Sequence, residues 1–169
     1  DPSTQKSALI EKRIDMGFWR SGQTLVDGCE SVRVAHEPIG VAMSAQHRFA
    51  QQEGVDLKAL GDENFMIIDP KHSDFDMSLP HACLMAGFFP RITHRAAEPQ
   101  TLMALAGAGN GIALLPWSLS RIQWPNTRMI RLHGSDLHAD LFAFYREGDP
   151  SPIVKSMVSL ITDGLGSQD

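Results

Sequence analysis

Cysteine is scarce in this sequence: Cys29 and Cys83, far apart, are the only two in 169 residues. Two thiols among so many apolar side chains build no disulfide framework and point to a reducing compartment. Positive charge is short as well. Fifteen Lys and Arg against twenty Asp and Glu leave a formal net charge of −5, and the basic residues form no cluster. A nucleic-acid-binding surface has the opposite footprint. No apolar run is long enough to span a bilayer and no secretory signal opens the chain, so a cytoplasmic protein is the expectation. Repeats and low-complexity tracts are missing, as are a Gly-x-Ser-x-Gly nucleophile elbow and a Gly-x-x-x-x-Gly-Lys phosphate loop.

What is present is a 43% hydrophobic, 21% charged composition, enough to bury a core in one domain or two small lobes. The most informative stretch is residues 97–116, AEPQTLMALAGAGNGIALLP. Pro99 suits the first turn of a helix, and Glu98 and Gln100 complement its positive end. Leu102, Met103, Leu105 and Ala106 form an apolar stripe at helical spacing. Gly107, Gly109 and Gly111 break the helix. Residues 112–115 then read as a strand covered on both faces, ended by Pro116. Helix followed directly by buried strand is half of a β-α-β unit, so an open parallel sheet is expected.

The remaining elements follow from the same signals. Residues 3–12 read as a helix capped by Ser3 or Thr4, and residues 14–19 as a strand closed by Arg20, Ser21 and Gly22. That strand, taken as a central parallel one, needs neighbours that no earlier residue supplies, so upstream sequence is expected to be missing. Residues 31–43 are extended and broken at Glu37 and Pro38, a natural crossover or hinge between lobes. Residues 47–60 read as short helix and loop, and 64–68 as a second buried strand. Residues 74–86 form a helix capped by Ser73 or Asp74, with Pro80 bending it and Gly87 stopping it. Strands are expected at 91–95, 127–132 and 140–145, and a helical turn or two at 117–122. A last helix over 153–161 should turn Val154, Met157, Val158 and Ile161 inward, before a polar end that frays.

Catalytic readings fail on spacing or context. The GAGNG run at 107–111 follows a helix and precedes a strand, the reverse of a dinucleotide-binding loop. His81 and Cys83, two apart on a helix, diverge and cannot chelate a metal together, and His133 and His138 flank a turn. Cys83 reads as a small core residue. Asp74 and Asp76 read most simply as helix-start residues, with acid–base work left open. No metal, no cofactor and no catalysis are therefore expected. What remains is the rule that ligands gather at the carboxyl ends of strands in open α/β sheets. Those ends offer Arg20, Ser73, Phe75, Trp117 and free helix N-termini, the inventory of a cleft for a small, anionic, partly apolar molecule. Each residue has a plainer role beside that one: an ion pair with Glu37 for Arg20, core packing for Phe75 and Trp117, capping for Ser73.

Five segments, taken in order, resemble the effector-binding domain of LysR-type transcriptional regulators. They are LIEKRIDMGF at 9–18, EPIGVAMSAQHRFA at 37–50, AGFFP at 86–90, QTLMALAGAGNGIALLP at 100–116, and the SPIV helix start at 151–154. The resemblance implies an α/β fold of two Rossmann-like lobes joined by two crossover strands, like periplasmic binding proteins, with a metabolite in the cleft. It implies a first lobe made of residues 1–38 and 139–169, and a second made of 39–138. Carried over residue by residue, the effector contacts are Thr4 and Arg20 from the first lobe and Ser73, Phe75, Glu98 and Pro99 from the second, joined by Trp117 from the strand-end inventory. Glu37 and Pro38 form the hinge. Arg20 and the nearby rings point to an aromatic or other small carboxylate as the effector, although Asp74 and Asp76 would oppose an anion at their helix start. The family's DNA-binding domain, and the first strand and helix of its first lobe, have no counterpart in these residues, which leaves that lobe incomplete. A homo-oligomer that reaches DNA only through that missing domain is implied. The alternatives are a stand-alone solute-binding protein of the two-lobe type, or an enzyme on a similar scaffold.

Overall fold

The computed structural model describes residues 1–20, 26–69 and 78–165, the side chain of Leu165 excepted. The chain divides into two compact units, residues 1–36 with 140–169 (unit 1) and residues 37–139 (unit 2). Among the described residues no helix is long and apolar enough to cross a membrane.

Unit 2 is built on a six-stranded sheet. Its strands are β3 (Ile39–Ser44), β4 (Gly54–Asp56), β5 (Asn64–Ile68), β6 (Arg91–Ala96), β7 (Ile112–Pro116) and β8 (Thr127–His133), in the order β4-β8-β3-β7-β5-β6. The parallel pairs are β5–β6, β5–β7 and β4–β8, while β3 runs antiparallel to both β7 and β8. The sheet is therefore mixed, not purely parallel, with one reversed strand at its centre. The wholly apolar run of β7 is explained by alternation. Ile112 and Leu114 enter one buried cluster with Val41, Met43, Phe65, Ile67, Leu79 and Cys83, while Ala113 and Leu115 enter another with Met66, Ile68, Leu102, Met103 and Ala106. Helix α2 (Leu79–Met85) covers the first face and α3 (Pro99–Gly107) the second.

Local expectations are corrected here in two places. Pro80 lies in the first turn of α2, which begins at Leu79 behind Ser78, so it bends nothing; its absent N–H is not needed there. The short strand β4, read as helix and loop, gains its identity from pairing with β8, which three residues cannot announce on their own.

Unit 1 holds a three-stranded sheet of β1 (Met16–Arg20), β2 (Cys29–Ala35) and β9 (Leu141–Arg146), with helices α1 (Pro2–Ile10) and α4 (Pro152–Leu165). Its order is β1-β9-β2 and both pairings are antiparallel. The strand expected at the centre of a parallel sheet is thus an edge strand among the described residues. Its side chains alternate: Trp19 stacks flat on Phe144, 3.9 Å between centroids, and joins Leu9 and Phe142 in the core, whereas Phe18 faces the other way and is 43% exposed. The outer edge of β1 is met by a side chain. The Gln5 carboxamide accepts the Phe18 N–H at 2.8 Å and donates to the Phe18 carbonyl at 3.0 Å, standing in for a neighbouring strand. α1 is capped by Asp1 rather than by Ser3 or Thr4. In α4, Val154, Val158 and Ile161 turn inward while Ile153, Met157 and Leu160 form an exposed stripe, so Met157 is the residue misplaced by periodicity.

Candidate functional site

Strand direction determines where ligand-facing residues of unit 2 can lie. Five of the six strands run one way, and β3 begins where they end. The carboxyl edge therefore collects Asp69 after β5, Glu98 and Pro99 after β6, Trp117 after β7, Arg131 near the end of β8, and Glu37 and Pro38 before β3. Hydrogen bonds lace this edge together. The Asp69 N–H donates to the Ala96 carbonyl at 2.8 Å and the Trp117 N–H to the Pro38 carbonyl at 2.9 Å. The Ser118 N–H donates to the Glu37 carboxylate at 2.6 Å.

The residues singled out from the sequence fall into three groups. Glu98, Pro99, Trp117, Glu37 and Pro38 are brought to this one edge. Glu98 is the extended N-cap residue of α3, and its side chain makes no cap hydrogen bond; Pro99 opens the helix. With β5 lying between β6 and β7, the start of α3 is about 10 Å from the Trp117 end across the sheet. Thr4 and Arg20 belong to unit 1 and come to one end of it: the first turn of α1 lies beside the end of β1 through the Gln5–Phe18 contact. There Thr4 already donates its N–H and its hydroxyl to the Asp1 carboxylate, at 2.8 and 3.1 Å. Ser73 and Phe75, with Asp74, Asp76 and His72, lie outside the described residues.

Trp117 has two neighbours that fix its ring. Its ring lies over Gly40, where an added Cβ would come within 2.8 Å of the ring edge, so glycine is what lets the indole approach the strand. The Arg131 guanidinium sits 4.4 Å from a ring centroid of Trp117, a cation–π contact. Arg131 is an exposed cation that sequence reasoning missed. It is far from Trp117 along the chain, and only the pairing of Gly40 with Arg131 across β3 and β8 joins them.

Titratable groups elsewhere fit structural roles. Cys83 is fully buried and burial pushes its thiol up to about 11, far from a nucleophile's range. Burial also raises the Cys29 thiol, against the pull of Arg146 and Lys6. Glu63 receives Arg48 through two nitrogens, at 2.7 and 3.0 Å, and lies 3.2 Å from the His47 ring. Among the described residues no group of three or more His, Cys, Asp or Glu is placed to hold a metal ion. Three hollows within the units lie away from the predicted residues. They are about 550 Å³ beside α4 and Tyr145, about 450 Å³ between α2 and the loop at Asp136, and about 310 Å³ around Trp124.

The family model described as the LysR substrate binding domain matches residues 1–166. The chain belongs to this family. Among curated relatives, the HTH-type transcriptional regulator XapR of Escherichia coli (strain K12) is 30% identical over 161 residues, which cover 95% of this chain and 54% of XapR. BenM of Acinetobacter baylyi, likewise an HTH-type transcriptional regulator, is 29% identical over 161 residues, covering 93% of this chain and 52% of BenM. The chain thus spans about half the length of the curated relatives it matches. Among solved structures, the BenM effector-binding domain with its effector benzoate superposes with a TM-score of 0.80 at 26% identity, over 99% of this chain and 78% of that one. The effector-binding domain of QuiR in complex with shikimate reaches 0.83 at 14% identity, over 98% of this chain and 78% of that one, which speaks for the fold alone. The LysR effector-binding α/β fold expected from the motifs is the one observed. The relatives named are transcriptional regulators, not enzymes.

Proposed function

We propose that this chain is the ligand-sensing part of a LysR-type transcriptional regulator. The observation that carries the reading is the family match along residues 1–166. In this reading a small metabolite is contacted by Thr4 and Arg20 on unit 1 and by Ser73, Phe75, Glu98, Pro99 and Trp117 on unit 2. Glu37 and Pro38 act as hinge. Binding favours one arrangement of a homo-oligomer over another, and its effect is limited by the difference in affinity between the two. DNA is reached through a helix-turn-helix segment like the one that the names of the relatives record, and the regulator works in the cytoplasm. A small carboxylate is the ligand class, because Arg20, Arg131 and the start of α3 supply positive potential beside the Trp117 ring, against the opposing charge of Asp69, Glu98 and Glu37 on the same edge. No bond of the ligand is made or broken.

The test is calorimetry of the full-length regulator against a panel of metabolites that includes benzoate and shikimate. At least one carboxylate is expected to bind, and Arg20→Met to weaken it about tenfold or more, the worth of a charge-assisted contact. Absence of binding across the panel would overturn the sensor reading.

A further inference from the structure

Glu37 is buried, 9% exposed, and it joins three segments that are remote in sequence. Its carboxylate accepts the Ser118 N–H at 2.6 Å, in the first turn of the short 3-10 helix Trp117–Arg121 that no side chain of its own caps. Its backbone carbonyl accepts the Ala139 N–H at 2.8 Å. The next residue, Pro38, accepts the Trp117 N–H and forms an isolated bridge with His138. The chain enters unit 2 at residue 37 and leaves it at 139, so both passages and the Trp117 turn meet on one residue.

We propose that Glu37 is a positioning residue whose carboxylate makes the Trp117 turn and both passages a single clasp, so that a ligand displacing the turn displaces both passages. The use of the clasp rests on the sensor reading; its geometry does not. A carboxylate suits the role because a charged acceptor holds an N–H more strongly than a neutral one. Removing it leaves a donor without its partner, which is costlier than never having made the bond. A residue that merely capped the 3-10 helix would protect Ser118 alone. A clasp protects the Trp117 and Ala139 amides as well, although their own acceptors are backbone carbonyls.

Native-state hydrogen exchange in the intact protein, without ligand, separates the two roles. In the parent all three amides, Ser118, Trp117 and Ala139, exchange slowly. Glu37→Ala is expected to speed all three together by about tenfold or more. Glu37→Gln keeps an acceptor oxygen and returns Trp117 and Ala139 toward parental rates; Ser118→Ala keeps the N–H and changes none of them. Acceleration confined to Ser118, or a Ser118 amide that exchanges unprotected in the parent, overturns the clasp. If Glu37→Ala does not fold, the parental rates and Glu37→Gln decide. Because no ligand enters, failure here leaves the sensor reading standing, and an empty ligand panel leaves the clasp standing.

Discussion

Gly111 holds the turn between α3 and β7 at φ +149, with the Asn64 carbonyl occupying the space where a Cβ would stand. Gly109, two residues earlier, has φ +80 but open space around it. The two positions therefore separate backbone strain from collision. Gly109→Ala should cost about 1 kcal/mol, the left-handed penalty alone, and Gly111→Ala about 2–4 kcal/mol because β5 must also move; urea midpoints measure both. Cys83 gives a pH prediction. Its thiol is held neutral by burial, up to about 11 against an ordinary 9.0, so the folded state keeps a proton that the unfolded chain loses. The corresponding stability is fully present below pH 9 and is lost as pH rises toward 11. Denaturation from pH 8 to 11 should show that decline in the parent and less of it in Cys83→Ala. The burial of Cys83 was readable from its helical neighbours. Nothing in the local sequence hinted at the indole–guanidinium pair of Trp117 and Arg131, because Gly40, beside both, matters only once β3 and β8 are paired.

At the scale of elements, Arg146 at the end of β9 joins several segments of unit 1. Its guanidinium donates to the Leu9 carbonyl at 3.2 Å and the Ile14 carbonyl at 2.6 Å, where α1 gives way to β1, and it pairs with Asp15 and Asp149 at 2.9 and 2.6 Å. Helix, loop and strand are thus tied to one side chain whose planar donors serve several acceptors. Arg146→Met keeps the stem and removes the donors. It should destabilise unit 1 by about 2–4 kcal/mol, read as early loss of Trp19 fluorescence. The Asp149 carboxyl is held below the usual carboxylate range by the Ser151 N–H, with Arg146 adding to it and burial opposing. A depressed acid stabilises the fold above its unfolded pKa and stops doing so as pH falls through the folded one. Acid unfolding of unit 1 should therefore begin at higher pH in Asp149→Asn than in the parent, and equal onset would contradict the assignment.

At the scale of the whole molecule, the two units differ in how the chain builds them. Unit 2 is continuous, residues 37–139, and its ends are hydrogen-bonded to each other through Glu37 and Ala139. Its sheet carries a buried cluster on each face. Unit 1 is assembled from two remote pieces around a cluster of Leu9, Trp19, Phe142 and Phe144. Residues 37–139 expressed alone should unfold in a single cooperative urea transition. In the full chain, Trp19 emission should be lost at lower urea than that of Trp117 and Trp124, with Trp19→Phe separating the signals. Coincident transitions, or a disordered 37–139 fragment, would show that the units depend on each other for stability.

The sequence by itself determined the pieces whose cause is local. The proline-opened helix, glycine turn and doubly covered strand of residues 97–116 became α3 and β7, with Gly107 ending the helix from inside and the turn left to Gly109 and Gly111, and the motifs in order were enough for the family. Helical and strand periodicities report which faces are apolar, and they do so without knowing what covers them. Partner choice is different, because it is made between residues far apart in the chain. Only the tertiary structure reversed β3 within its sheet, put β1 at an edge met by Gln5, turned Met157 outward, and set Arg131 beside Trp117 and the Glu37 carboxylate under Ser118. Strand direction and side-chain pairing depend on how surfaces fit once chain entropy has been given up, and no run of ten residues contains that information.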